Sequence, residues 1–340
     1  MTPPRLELTR AQVIARRLAA GALDTRLPAG ADSFRRAAWA GLQDSMPRAA
    51  LLSLHARVEA IGASAWEDPS LVQVWGPRFS AYVVAAADRT VFTLGRLPDD
   101  PHGRRRAEDL ADRLEAFLDG RRMRFGEAGH ALGGHPNQLR YATATGRVLI
   151  RWDGARQPTI WTEPTPVADP REARLELLRR YLRIFGPTTA ASFAEWAGIA
   201  AADGRDAFDA LGGSLVPVRS PIGEAWILAE DELAFGNPAG PAAPARLLPS
   251  GDAFFLLWGA DREVLVPEAV NRAALWPPRV WPGAVLVDGE IAGTWRRSNA
   301  DLTIHAWRAL PPAARAAVEE EAVALPLPGV DGRIRVRWAD

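Results

Sequence analysis

The sequence predicts an α+β chain built of three consecutive helix-and-hairpin units and a closing β-rich segment. Three observations carry this reading. A helix, two short helices and a hairpin recur about every 65–70 residues, the scale of one supersecondary unit. A Pro-, Ala- and Gly-rich stretch, FGNPAGPAAPARLLPSG, then breaks the pattern. Beyond it, short apolar runs separated by turn residues replace the helical periodicity.

The first unit spans residues 1–99. Thr9 is placed to cap RAQVIARRLAA, because its side-chain oxygen can accept an orphan backbone N–H, and Gly21 stops the helix. Helices are expected at about 33–40 and 47–60. The second carries Leu51, Leu54 and Val58 on one face, with Pro47 in its first turn. LVQVWGPRFSAYVV reads as two short strands around Gly76–Pro77, and AADRTVFTLGRL returns to helix.

The second unit, 100–168, opens with the helix RRRAEDLADRLEAFL and continues with short helical pieces in GEAGHALGG and HPNQLRYATATG. RVLIRW and PTIWTE then flank Asp153–Gly154, a hairpin turn signal. The third unit, 169–236, runs through PREARLELLRRYLRIFG, TTAASFAEWAG and ADGRDAFDALGG to SLVPVRS and EAWILAE. This is the order of a winged helix, and TTAASFAEWAGIA has the look of a helix–turn–helix with Gly198 at its turn. Residues 237–340 are expected to form a small β-barrel from AFFLLW, EVLVP, GAVLVDGEIAGTWRR, ADLTIHAWR and GRIRVRW. Only PAARAAVEEEAVA reads there as helix.

Composition excludes several chemistries. The 340 residues contain no cysteine, so disulfides, thiolate metal sites and cysteine nucleophiles are absent. They contain no lysine either, which removes a Walker-type phosphate loop and side-chain Schiff-base catalysis. No apolar run approaches the roughly 20 residues that span a bilayer, and no signal-type N-terminus is present. The expectation is a cytoplasmic, nucleoid-associated monomer. The formal net charge is zero. Positive charge is nonetheless concentrated: seven arginines (121, 122, 124, 140, 147, 151 and 156) stand against Glu127 and Asp153 in one stretch. The five histidines (55, 102, 130, 135 and 305) lack metal-ligand spacing, and there is no nucleophile elbow or dinucleotide loop. No metal or cofactor is expected.

The stretch GLQDSMPRAALLSLHARV is the most informative. Asp44 or Ser45 suits the cap of the helix that follows, whereas no cap requires Gln43. With WAGLQDSMPRAALLSLHARV, FGPTTAASFAEWAGI and LVDGEIAGTWRR in this order, the chain resembles the bacterial winged-helix DNA glycosylase superfamily typified by AlkZ and YcaQ, from about residue 9 to 338. The resemblance implies three tandem winged helices and a C-terminal β-barrel that together grip duplex DNA. It also implies excision of N-alkylated purines, in some members from crosslinks. It places the family's Gln–apolar–Gln or Gln–apolar–Asp motif at Gln43–Asp44–Ser45, where this sequence departs at the second and third positions.

Glycosidic hydrolysis passes through an oxocarbenium-like sugar, and a purine alkylated at N7 or N3 is already cationic, so it leaves as a neutral base without a strong general acid. What remains is to place a water and stabilise the sugar. A glutamine carbonyl can orient that water, and Asp44 is the triplet's one carboxylate that could take its proton. Three arrangements are open: Gln43 with Asp44, Gln43 with Ser45, or a triplet reduced to a helix cap in a protein that only binds DNA, as a regulator or adduct shield. A ligand-responsive regulator is a more distant alternative. Without lysine, a glycosylase of this kind is expected to be monofunctional. Candidate DNA contacts are Arg48 and His55 beside the triplet and Arg78 after the first hairpin turn. Arg121, Arg122, Arg124, His135, Arg140, Arg147 and Arg151 follow in the second unit, and Arg296 and Arg297 after GTW.

Overall fold

Thr9 starts the helix Arg10–Ala20 with a complete capping box: its side chain accepts from the Gln12 amide, and the Gln12 side chain accepts from the Thr9 backbone. The computed structural model describes residues 4–46, 48–154, 157–236, 240–327, 329–330 and 333–339. Pro47, Arg156 and residues 237–239 of the linker lie outside them.

The first-unit helices are Ala31–Ala37 and Ala49–Arg57. The hairpin pairs Leu71–Trp75 with Ala81–Ala85, and the two-residue strand Leu42–Gln43 adds to its outer side, with Gln43 opposite Tyr82. In the second unit the helix Pro101–Leu118 and the shorter Phe125–Ala131 precede the hairpin Val148–Arg151/Thr159–Thr162. The two hairpins are joined to each other, in one six-stranded sheet where Gln73 pairs with Ile150.

The third unit contains helices Pro170–Phe185, Ala190–Ala197 and Ala201–Leu211 and the hairpin Leu215–Ser220/Gly223–Leu228. Leu6–Glu7, from the start of the chain, pairs in parallel with the first strand of that hairpin. Gly198 turns the chain after Ala190–Ala197 with φ 69°, and a Cβ there would lie 3.0 Å from the Arg78 backbone. Only glycine satisfies both conditions without strain. Arg96, fully enclosed, staples the first and third units by donating to the carbonyls of Ala197 at 2.7 Å and Trp75 at 3.0 Å. One core runs through Tyr82 and Phe92, Phe193 and Trp196, and Phe255 and Leu286. The units therefore pack as one body.

The C-terminal segment differs from expectation. Among the described residues its five strands follow the linear order of Ala245–Leu248, Gly283–Val287, Glu290–Ser298, Asp301–Ala306 and Arg335–Ala339, so the sheet is open and no barrel closes. The last strand enters parallel to Asp301–Ala306 through the crossover helix Pro312–Val323, as parallel pairing demands. That helix packs against Ala245–Leu248, Gly283–Val287 and the last strand. It covers the face across which the edges would have to meet. AFFLLW and EVLVP are not strands either: Ala253–Phe255 is a 3-10 turn, and most of EVLVP ends the helix Ala260–Leu265. A further helix spans Ala269–Leu275.

Candidate active site

Extended backbone alternates its side chains, and this alternation sorts the triplet. Leu42 and Asp44 are buried, Gln43 is half-buried and Ser45 is exposed. Gln43 therefore faces away from Leu42 and Asp44, and Ser45 is exposed in the bend that follows. Asp44 is held under the surface: its Oδ1 accepts the Ala50 N–H at 3.0 Å and its Oδ2 accepts the Gln73 side-chain amide at 2.7 Å. Asp44 thus caps the helix Ala49–Arg57, whose own cap residue, Arg48, makes no side-chain cap bond. Burial pushes its carboxyl up to about 6, against the opposing pull of those two donors and of Arg48 and Arg151.

Gln73 was not foreseen from the sequence, although it is the one polar residue in the strand LVQVW. Its Oε1 accepts the Trp152 N–H at 2.6 Å while its amide serves Asp44, so it ties the floor of the site to the second hairpin.

On the other face, Gln43 Oε1 accepts from Arg78 Nη2 at 3.2 Å and from the buried Tyr82 hydroxyl at 3.4 Å. Burial pushes that phenol up to about 12, so it stays a donor. Arg78 adopts φ 52° and lies 4.1 Å over the Trp258 ring, and its Nη1 is buried with no hydrogen-bond partner among the described residues. The loop Pro249–Asp252 closes the third side. Gly251, at φ 77°, approaches so closely that a Cβ would stand 3.0 Å from Gln43 Nε2. Asp252 fixes that loop through a buried ion pair with Arg57, at 2.7 Å to each oxygen, and a 2.6 Å bond from Ser53. Burial alone would raise the Asp252 carboxyl, but Arg57 and Ser53 hold it below its ordinary value.

The remaining candidates divide. Arg48 and Arg151 meet on Trp66. Arg296 and Arg297 line, with Met46, Trp281 and Trp295, a cleft of about 330 Å³ that begins one residue beyond Ser45. Arg140 donates to the Phe79 carbonyl, next to Arg78. The others are engaged elsewhere. Arg147 is ion-paired to Asp112 and Glu115. Arg121 caps the helix Pro101–Leu118 through the carbonyls of Phe117 and Leu118. Arg122 stacks on Trp161, Arg124 is exposed in Met123–Arg124, and His135 Nδ1 accepts the Asn137 N–H. His55 is buried beside Arg26 and Glu321, and burial depresses it to about 4, so it is a neutral packing residue that presents no charge to a phosphate. Among the described residues there is no group of ligands suited to a metal ion, and no helix is long and apolar enough to cross a membrane.

Gln43 thus stands where the first hairpin meets a loop of the C-terminal segment, with Gly198 packed behind its partner Arg78. The family model for AlkZ-like DNA glycosylases matches residues 36–326, and the chain belongs to that family. It is similar to the interstrand DNA cross-link repair glycosylase of Streptomyces sahachiroi, with 32% identity over 145 residues. These are 40% of this chain, and the match spans only 37% of that relative's length. The solved structure of Streptomyces sahachiroi DNA glycosylase AlkZ superposes with a TM-score of 0.78 at 20% identity, over 98% of this chain and 100% of that one. At that identity the likeness bears on the fold.

Proposed function

We propose that the chain is a monofunctional DNA glycosylase that releases alkylated purines, bulky adducts or crosslinked bases among them, with Gln43 and Ser45 as its working face and Asp44 as buried support. Its three helix-and-hairpin units, about 1–99, 100–168 and 169–236, act as winged helices on duplex DNA, with 237–340 closing the grip. It works as a monomer in the cytoplasm, at the nucleoid. The observation that supports this most is the family membership together with Gln43's position, half-exposed and held from three sides.

A cationic alkylpurine supplies its own leaving-group activation. The protein's task is to orient water and offer dipoles to the developing positive sugar. In the free protein the Gln43 carbonyl is taken by Arg78 and Tyr82. A DNA phosphate drawing Arg78 toward itself frees that oxygen for water, so substrate binding reaches the site through Arg78. With no lysine in the chain, the product is an intact abasic site.

One observation favours a second reading, a DNA-binding protein without catalysis: the triplet's only carboxylate is turned inward. A duplex with one 7-methylguanine on a labelled strand separates the two. After incubation, an abasic-site endonuclease gives strand cutting if the base has been excised, and without it the strand stays whole; hot alkali is not used because it cuts at 7-methylguanine itself. Tight binding with no cutting, on this lesion and on a bulkier N7 adduct, establishes the second reading.

A further inference from the structure

Two arginines from different units meet on one indole. The guanidinium carbons of Arg48 and Arg151 each lie 3.5 Å from the centre of the Trp66 ring. At stacking distance a ring face has room for one guanidinium, so Trp66 is sandwiched, with two positive charges held about 7 Å apart, twice 3.5 Å. Like charges that close repel, and their compensation is partial, from Glu67 and through space from Asp44. Among the described residues Arg151 has one loose ion pair, 3.6 Å to the exposed Glu67, and Arg48 donates to the Trp152 carbonyl at 3.3 Å. The nearby Asp44 carboxylate is occupied by the Ala50 and Gln73 amides. Arg48 reaches its place from a left-handed backbone, φ 62° and ψ 25°, which a long side chain adopts only under constraint. Cation–π contact holds both side chains in place before any ligand arrives, which lowers the entropy lost on binding.

We propose that Arg48, Trp66 and Arg151 form a preformed clamp for two successive phosphates of one DNA strand, on the Asp44 side of the triplet. The proposal rests on the DNA-binding reading above. The separation of the two guanidiniums is of the order of the step between consecutive phosphates along a strand. Each planar fork matches a phosphate's paired oxygens. The clamp stands at the start of the helix Ala49–Arg57, which Asp44 caps, so the strand it holds passes the triplet. Trp66 is here a positioning residue, acting through the arginines.

The test is the salt dependence of binding by the full chain to an undamaged duplex, read as the slope of log K against log salt concentration. Each phosphate contact contributes about 0.9 to that slope on duplex DNA. Arg48→Gln and Arg151→Gln are each expected to flatten it by about 0.9, and the double variant and Trp66→Leu by about 1.8. Arg335→Gln, an exposed arginine paired with Asp301, leaves the slope unchanged. A tryptophan with only a packing role would lower the melting temperature of Trp66→Leu without moving its slope. Should that variant fail to fold, the two arginine variants carry the test. Wild-type binding with slopes unmoved in folded variants, or moved as much by Arg335→Gln, overturns the clamp and leaves the DNA-binding reading standing. A wild-type chain that does not bind DNA overturns both.

Discussion

Two buried carboxylates flank Gln43, and the chain treats them in opposite ways. Asp252 faces the Arg57 guanidinium and the Ser53 hydroxyl and is held below its ordinary range. Asp44, as deeply buried, meets only neutral amides directly and is pushed up to about 6. A full charge at bonding distance outweighs the desolvation of a carboxylate, and two neutral donors do not. Asp252 is therefore a fixed anion that locks a loop, whereas Asp44 is a strained cap at the position where the resembled motif carries an apolar residue. Burial at that middle position is common to both residue types. The departure from the motif therefore alters the floor of the site, and its exposed face keeps Gln43.

The most severe way to break the comparison is to leave Arg57 buried without its partner. Asp252→Ala is expected to cost about 3–5 kcal/mol, the penalty of an orphaned buried charge, measurable by urea unfolding. A loss below about 1 kcal/mol would mean that the pair is not desolvated as the structure places it.

The Asp44 side is sharpened by pH. Its folded pKa, about 6, lies above the ordinary aspartate value of 3.8, so between about pH 4 and 6 the folded state holds more protons than the unfolded one. Stability from this group is present at low pH and falls as the pH rises through that window. Wild-type stability minus that of Asp44→Asn should drop by about 3 kcal/mol from pH 4 to 7, from roughly two pKa units at 1.36 kcal/mol each. A difference that stays flat would show an ordinary carboxyl.

Gly251 joins the two regions, following the Asp252 loop at one end and touching Gln43 at the other. Gly251→Ala is expected to cost about 1–2 kcal/mol through its left-handed backbone and to lower excision further by displacing the Gln43 amide. Full activity at reduced stability would mean that the loop does not position Gln43.

The sequence made much of the frame legible. Thr9 with Gln12, the turn residues of the three hairpins and Gly198 each act locally, so propensity and spacing suffice to place them. What escaped depends on pairing between distant segments. Gln73 acquires its role only because two hairpins merge into one sheet, and nothing local encodes that junction. AFFLLW is apolar throughout, and such a run does not distinguish a strand from a buried turn. Barrel closure failed because the helix Pro312–Val323 packs on both edge strands, a tertiary placement that no local run encodes. At the triplet itself the residues were identified but not their orientation, because Asp44 satisfies a cap and a catalytic pattern equally until the alternation beginning at Leu42 is fixed by Val83 and Tyr82.

The central claim is that Gln43 works on the substrate while Asp44 works on the fold. Single-turnover excision of 7-methylguanine from a labelled duplex, with wild type, Gln43→Ala and Asp44→Asn compared at one pH after their folding is verified, tests it most directly. The account predicts that Gln43→Ala loses at least about 100-fold in rate, the scale of a lost transition-state dipole, while Asp44→Asn stays within about 10-fold of wild type. Excision that survives in Gln43→Ala, or that vanishes in a folded Asp44→Asn, would contradict it.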